Sequence, residues 1–296
     1  MPFIGEICGL LTALVWSGSS LAFSAATLRV GPFRLNVLRL TLAAVFIFAV
    51  VVVSGADVHL SSSQMRNLVI SGIIGLVVGD TFLFKSYELI GARMGMLIMS
   101  AAPAISALLA FLFLGEILSW IAVFGMGVTL LGIALVVLER PETIKTTRRA
   151  HFQGILFGFL AAAGQGTALV MVKMAFNEGP VNGFVATFIR IISSVIVIWP
   201  LAWISGKSDN FFTIYKNDRT ALLLTLLGAF LGPFLGVTLS IFSVAHTKVG
   251  VAATLMATVP IFMLPLVKYV QKYRVTWRAI IGAIIAVAGV AMLFLR

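Results

Sequence analysis

One carboxylate stands in a run of residues that otherwise suits hydrocarbon. Asp80 lies at the centre of the first of two apolar segments within residues 72–116, and Pro103 lies inside the second. An ionised group in a bilayer interior is costly, so such residues mostly face a bundle interior or a wet cavity and mark ion or substrate pathways. At roughly 100° per residue, Phe84 and Tyr87 fall about 40° and about 20° from Asp80 on one helix face, while Lys85 falls about 140° round. The chemistry on offer is titration: Asp80 is a candidate proton-coupling group in a cavity, or else one half of a structural ion pair or helix–helix hydrogen bond.

The other charged residues in apolar surroundings are its candidate partners. Lys85 and Glu88 are three apart, which is the spacing of an ion pair on one helix face. Alternatively, Lys85 reaches along the helix to hold an anionic group. Arg39 and Arg190 sit a turn or two inside their segments, where a long basic side chain either snorkels to the headgroups or grips a carboxylate as a fork.

Polar side chains near midplane come in two sets, Trp16, Ser17 and Ser19 in the first segment and Gln165 and Thr167 in the sixth. They line a binding cavity or bond across helices for packing. Gln165 both donates and accepts, which suits a zwitterion. Pro103 and Pro260 each free a carbonyl one turn earlier, near Met99 and Met256, where a kink or a hinge is expected. Ser100, Thr254 and Thr258 surround those points as candidate substrate contacts, and the methionines, Met99 among them, would supply an adaptable apolar lining.

These residues need elements that hold them in lipid. The chain of 296 residues is 60% hydrophobic and 10% charged, with a mean hydropathy of +1.12, against roughly 25% charged for a soluble domain. It is an integral membrane protein. The net charge of +11 is spread through short gaps between apolar runs, as orientation signals are, so no nucleic-acid partner is expected. Cys8 is the only cysteine, which rules out an internal disulfide. His59, His151 and His246 lack ligand spacing, so neither a metal site nor another cofactor is expected. Neither HExxH, GxSxG nor a paired-carboxylate constellation occurs, so no enzyme is expected. The first segment carries Glu6 and no basic leader region, and is read as a spanning helix.

A spanning helix needs about 20 mainly apolar residues. Ten such stretches are expected, at 4–27, 36–54, 68–90, 94–114, 119–138, 153–175, 184–205, 220–244, 249–269 and 277–295. Backbone groups in lipid must be satisfied internally, so the fold class is all-α. The two halves repeat. At an offset of 157, Gly75, Gly79, Pro103, Trp120, Gly125 and Gly132 match Gly232, Gly236, Pro260, Trp277, Gly282 and Gly289. Gly5 and Gly9 match Gly154 and Gly158 at 149, and Arg39 matches Arg190 at 151. The expected organisation is a five-helix repeat over 1–138, a polar linker at 139–152 and a second five-helix repeat over 153–296. An odd helix number inverts the second copy, and many secondary transporters with inverted copies bind substrate at midplane between them. Rows of small residues, such as Gly154/Gly158 and Gly228/Gly232/Gly236, let helices approach closely. Thirteen Lys and Arg residues flank one face, among them Arg29, Arg34, Arg148, Arg149 and Arg219, and three (Arg66, Lys248 and Arg296) flank the other. That bias places the crowded face in the cytoplasm and both termini outside.

With ALVWSGSS in the first stretch, Arg39 in the second, GDTFLFKSYELIGA in the third, the Pro103 segment closing on LFLGE, and the Arg190, Pro260 and Gly-rich segments of the second half, nearly the whole chain resembles the EamA-type, ten-helix branch of the drug/metabolite transporter superfamily. The resemblance implies a secondary transporter of the cell (inner) membrane, often an exporter of amino acids or other small metabolites. Its central cavity would be lined mainly by helices 1, 3, 4, 6, 8 and 9, with 5 and 10 outside. Family members are usually drawn with cytoplasmic termini, opposite to the charge bias here. The second repeat also has VQKYR where the first has FLGEI. The expected partners are a small-molecule substrate and the lipid bilayer, with protons as the candidate coupling ion. The alternative is a flippase-like subunit working on a lipid-linked substrate through a basic headgroup pocket.

Overall fold

The computed structural model describes residues 3–138, 147–206, 211–270 and 277–294, which contain ten long helices and no strand. They are α1 (Ile4–Val30), α2 (Pro32–Ser54), α3 (Ser62–Ala92), α4 (Met94–Leu114), α5 (Trp120–Leu138), α6 (Arg148–Asn177), α7 (Gly183–Ile204), α8 (Arg219–His246), α9 (Val249–Leu266) and α10 (Trp277–Phe294). Eight are long and apolar enough to cross a bilayer, and Trp120–Leu135 and Ile280–Phe294 are shorter apolar stretches. Residues 139–146 of the linker and 271–276 of the VQKYR turn lie outside the described residues. So do Arg140, Lys145, Lys207, Lys272, Arg274 and Arg296 of the charge count.

Several helices run further than apolar length implies because polar caps extend them. Ser61 and Gln64 form a reciprocal capping box at the start of α3. Thr147, Asn182 and Asp218 accept from backbone amides at the starts of α6, α7 and α8. Each cap satisfies amides that a helix end leaves unpaired. The stretch before α8, expected as loop, carries a short helix, Phe211–Asn217. The chain turns towards α4 at Gly91, within the last residues of α3, at φ +81°, a conformation that an L side chain resists.

The repeats interlock, and glycine sets how closely. Because lipid is as apolar as a helix face, association depends on close packing. A Cβ on Gly5 of α1 would stand 3.0 Å from the His246 carbonyl carbon and from Thr247 Cβ, and one on Gly9 would stand 3.0 Å from Leu255 Cβ. At the matching positions of α6, a Cβ on Gly154 would stand 2.5 Å from Ile90, and one on Gly158 would stand 3.1 Å from Ile98. Each repeat's first helix therefore packs on the other repeat, at residues 157 apart. On the outside, α5 and α10 cross through their shared glycines: a Cβ on Gly132 would lie 2.6 Å from the Gly282 oxygen, and one on Gly289 would lie 2.7 Å from the Gly125 oxygen.

Two irregularities recur at the same offset. Residues Ile73–Gly79 of α3 and Phe230–Gly236 of α8 are π-helical, and the amides of Asp80 and Val237 each bond a carbonyl five residues back, on Gly75 and Gly232. The helical run of α4 breaks at Ser100–Ala101 and that of α9 at Ala257–Thr258, just ahead of Pro103 and Pro260. Wide turns of this kind favour functional sites, and all four lie at the middle of the bundle.

Candidate functional site

The four irregular segments surround one cavity of about 900 Å³ of atom-free space, its open mouth included. Its walls come from α1, α3, α4, α6, α8 and α9, with Arg39 from α2 and Arg190 from α7. Neither α5 nor α10 contributes to the lining.

Asp80 emerges at the end of the first π-helical segment and forms an ion pair with Arg39. The pair is largely dry, with side-chain exposures of 15% for Asp80 and 5% for Arg39. The rest of the guanidinium is held as well. Arg39 Nε donates to Asn36 Oδ1 at 2.8 Å and Nη2 to the Leu76 carbonyl at 3.4 Å, and the group lies 4.8 Å from the Phe84 ring centroid and 5.4 Å from that of Phe23. Asn36 also donates to the carbonyls of Leu76 and Val77 at 3.0 and 3.3 Å and to Thr81 at 2.7 Å. The wide turn disturbs the regular backbone ladder, and Asn36 and Arg39 supply donors to two of its carbonyls. The pair and the irregular helix therefore support each other. A buried ion pair is tolerable only with good geometry and extra hydrogen bonds, and this one has both. Arg39 does not snorkel: aromatic rings cover it and Asp80 draws it inward.

Of the other expected residues, Trp16, Ser19, Phe84, Tyr87, Met99, Ser100, Gln165 and Arg190 line the cavity with Asp80. Ser17, Thr167, Thr254 and Thr258 do not. Their hydroxyls turn back to the carbonyls of Leu14, Ala163, Gly250 and Leu255 on their own helices, at 2.6 to 2.8 Å. A hydroxyl buried without a partner would be costly, and the preceding turn offers the nearest acceptor. Pro103 and Pro260 do not line the cavity either, although the breaks they follow do, through Ser100 and Ala257. Lys85 and Glu88 pair with each other outside it, 41% and 35% exposed. Screened pairs of that kind contribute about 0.5 kcal/mol or less. Lys85→Met is therefore expected to leave the apparent melting temperature and transport near wild type. A large loss of either would place Lys85 in the site.

Reading the sequence missed Asn36, Ser20, Phe23 and Ser240. Asn36 was within reach, since it precedes Arg39 by three residues and so shares its helix face. Two methionine contacts were not: the Tyr87 hydroxyl donates to Met96 Sδ at 2.9 Å, and Ser20 donates to the same sulfur at 3.9 Å.

At the end of the bundle where α1 starts and α4 finishes, polar contacts bridge the repeats. Glu116 accepts from the Val249 amide at 2.9 Å, Thr247 donates to Glu6 at 3.2 Å, and Gln64 donates to the carbonyls of Ala175 and Gly179 at 3.3 Å each. Glu116 is thus a helix cap, but for α9 of the opposite repeat.

A family model described as EamA-like transporter family matches residues 3–138 and 152–295. A curated protein of Clostridium kluyveri, described as an uncharacterized transporter, is 24% identical over 142 residues, which are 48% of this chain and 44% of that protein. The chain thus spans less than half the length of that relative. A solved structure described as a crystal structure of a protein superposes with a TM-score of 0.75 at 17% identity, over 99% of this chain and 96% of the other. At that identity the likeness concerns the fold alone.

Proposed function

The chain belongs to the EamA-like transporter family, and from that premise we propose that it exports amino acids or similar small metabolites across the cell (inner) membrane. It does so by alternating access around the cavity between its repeats. The observation that carries this reading is the charged, partly polar cavity enclosed by symmetry-related irregular helices. Trp16, Met99 and Met256 offer an apolar wall to the body of a substrate, Gln165 offers a polar anchor, and Ser19 and Ser100, which donate to the carbonyls of Trp16 and Leu97, offer acceptor oxygens.

On this reading the bridged end, held by Glu116, Glu6 and Gln64, is shut, and transport requires those contacts to exchange for equivalent ones at the other end. The paired π-helical segments and the paired breaks before Pro103 and Pro260 are where α3, α8, α4 and α9 would bend. Symmetry favours that assignment, because inverted copies that swap conformations present the same bend to opposite faces. Arg39 and Asp80 form the coupling device: a proton on Asp80 dissolves the pair and releases Arg39 towards the cavity. The basic face, with Arg29 and Arg219, is assigned to the cytoplasm.

The test is counterflow in proteoliposomes made with the full-length protein. Vesicles preloaded with an unlabelled amino-acid mixture should accumulate labelled phenylalanine or leucine transiently, and protein-free vesicles should not. Absence of counterflow for every amino acid would reject amino acids as the substrate.

A further inference from the structure

The two arginines that match across the repeats are in opposite states. Arg39 has Asp80, Asn36 and two aromatic rings. Arg190 is deeper, at 1% exposure, and lines the same cavity, yet among the described residues its Nε has no hydrogen-bond partner. The ion pairs of the described residues are Arg29–Asp218, Arg39–Asp80, His59–Asp57 and Lys85–Glu88, and none includes Arg190; Asp80 acts on Arg190 only through space, its carboxylate being bonded to Arg39.

Internal symmetry says what is missing. Asp80 corresponds at the offset of 157 to Val237, which follows the second π-helical segment and also lines the cavity. The first repeat thus carries an arginine with its acid, and the second carries the arginine with valine in the acid's place. Counting Arg39, Asp80 and Arg190, the described lining holds one positive charge in excess. A buried guanidinium is tolerated when its planar fork meets an anion, with a carboxylate as the matching shape.

We propose that Arg190 is the recognition site for the carboxylate of a small organic monoanion, so that the substrate supplies the acid absent at Val237. The inference rests on the transporter reading and narrows its substrate class: the carboxylate is obligatory and the ammonium group is dispensable. Gln165 belongs to the same corner. A Cβ placed on Gly75 would stand 2.9 Å from Ala168 Cβ, 3.3 Å from Arg190 Nη2 and 3.9 Å from Gln165 Oε1, so both polar side chains pack against the same point on α3. The apolar wall of Trp16, Met99 and Met256 then takes the rest of the molecule.

The test uses the full-length protein in nanodiscs, titrated calorimetrically with 3-phenylpropionate, phenylalanine and phenethylamine. Both carboxylates should bind and the amine should not. Arg190→Gln should weaken 3-phenylpropionate binding by at least about tenfold, as expected when one member of a buried charge pair is removed, and Arg190→Lys should restore part of it. If Arg190→Gln does not fold, Val237 of the same repeat decides. Val237→Asp builds the absent acid and should abolish binding of the carboxylates, whereas Val237→Asn should retain it. Phenethylamine binding as tightly as 3-phenylpropionate would overturn the assignment. So would no binding of either carboxylate, unchanged affinity in a folded Arg190→Gln protein, or equal binding by Val237→Asp and Val237→Asn. Proteoliposomes separate this failure from failure of the transporter reading. Transport that ignores Arg190→Gln removes the carboxylate site and leaves the transporter, while Arg190-dependent binding without passage across the membrane does the reverse.

Discussion

Asp80→Asn is expected to make transport in proteoliposomes indifferent to an imposed pH gradient and to reduce it close to background. The carboxylate is the partner of an arginine whose side chain is only 5% exposed and whose guanidinium is covered by Phe23 and Phe84. Its removal leaves that charge in an apolar setting, a loss of about 3–5 kcal/mol for a buried pair broken on one side. The same substitution therefore affects stability and mechanism, and a second variant separates them. Replacing both partners, with Arg39→Met beside Asp80→Asn, removes the stranded charge and should recover much of the lost thermal stability. Transport should stay uncoupled from pH in the double variant. If Asp80→Asn responds to the gradient as wild type does, Asp80 has no part in coupling and the pair is structural.

Gly72→Val should be nearly as damaging, although Gly72 does not line the cavity between the repeats. A Cβ there would stand 2.3 Å from the Arg190 carbonyl oxygen and 2.9 Å from its Cα. Both are backbone atoms that move only if α3 and α7 move apart. Overpacking of this kind typically destabilises by about 1–3 kcal/mol, and the upper part of that range applies because no side chain can rotate away. The separation also shifts the turn that carries Arg190, so anion binding should fall together with the apparent melting temperature. Gly127→Val is the matched control, since a Cβ at Gly127 meets nothing within 4 Å. Similar melting temperatures for the two variants, measured by fluorescence-detected size exclusion after heating, would mean that the α3–α7 contact does not hold the bundle together.

The duplication was legible in the sequence because Gly, Pro and Trp at one spacing reflect backbone requirements, and backbone requirements recur when a module is copied. Close approach at Gly5, Gly9, Gly154 and Gly158 admits only a small residue, so those positions matched before their partners were known. The face of α3 that carries Asp80, Phe84 and Tyr87 was likewise readable, since helical period alone decides which residues stand together. Period does not decide what the facing helix presents. Arg39 lies 41 positions before Asp80, and either snorkelling or pairing suited its depth. Only the rotation of α2 against a wide turn in α3, held by Asn36, selected pairing. Ser17, Thr167, Thr254 and Thr258 show the same limit at the scale of one side chain, because a hydroxyl that can reach a cavity can also reach the carbonyl one turn back. The contrast between Arg39 and Arg190 belongs to the tertiary structure most of all. Two arginines at matching positions look alike in a sequence, and only a folded bundle shows that one is ion-paired with Asp80 and the other is buried with no ion pair of its own.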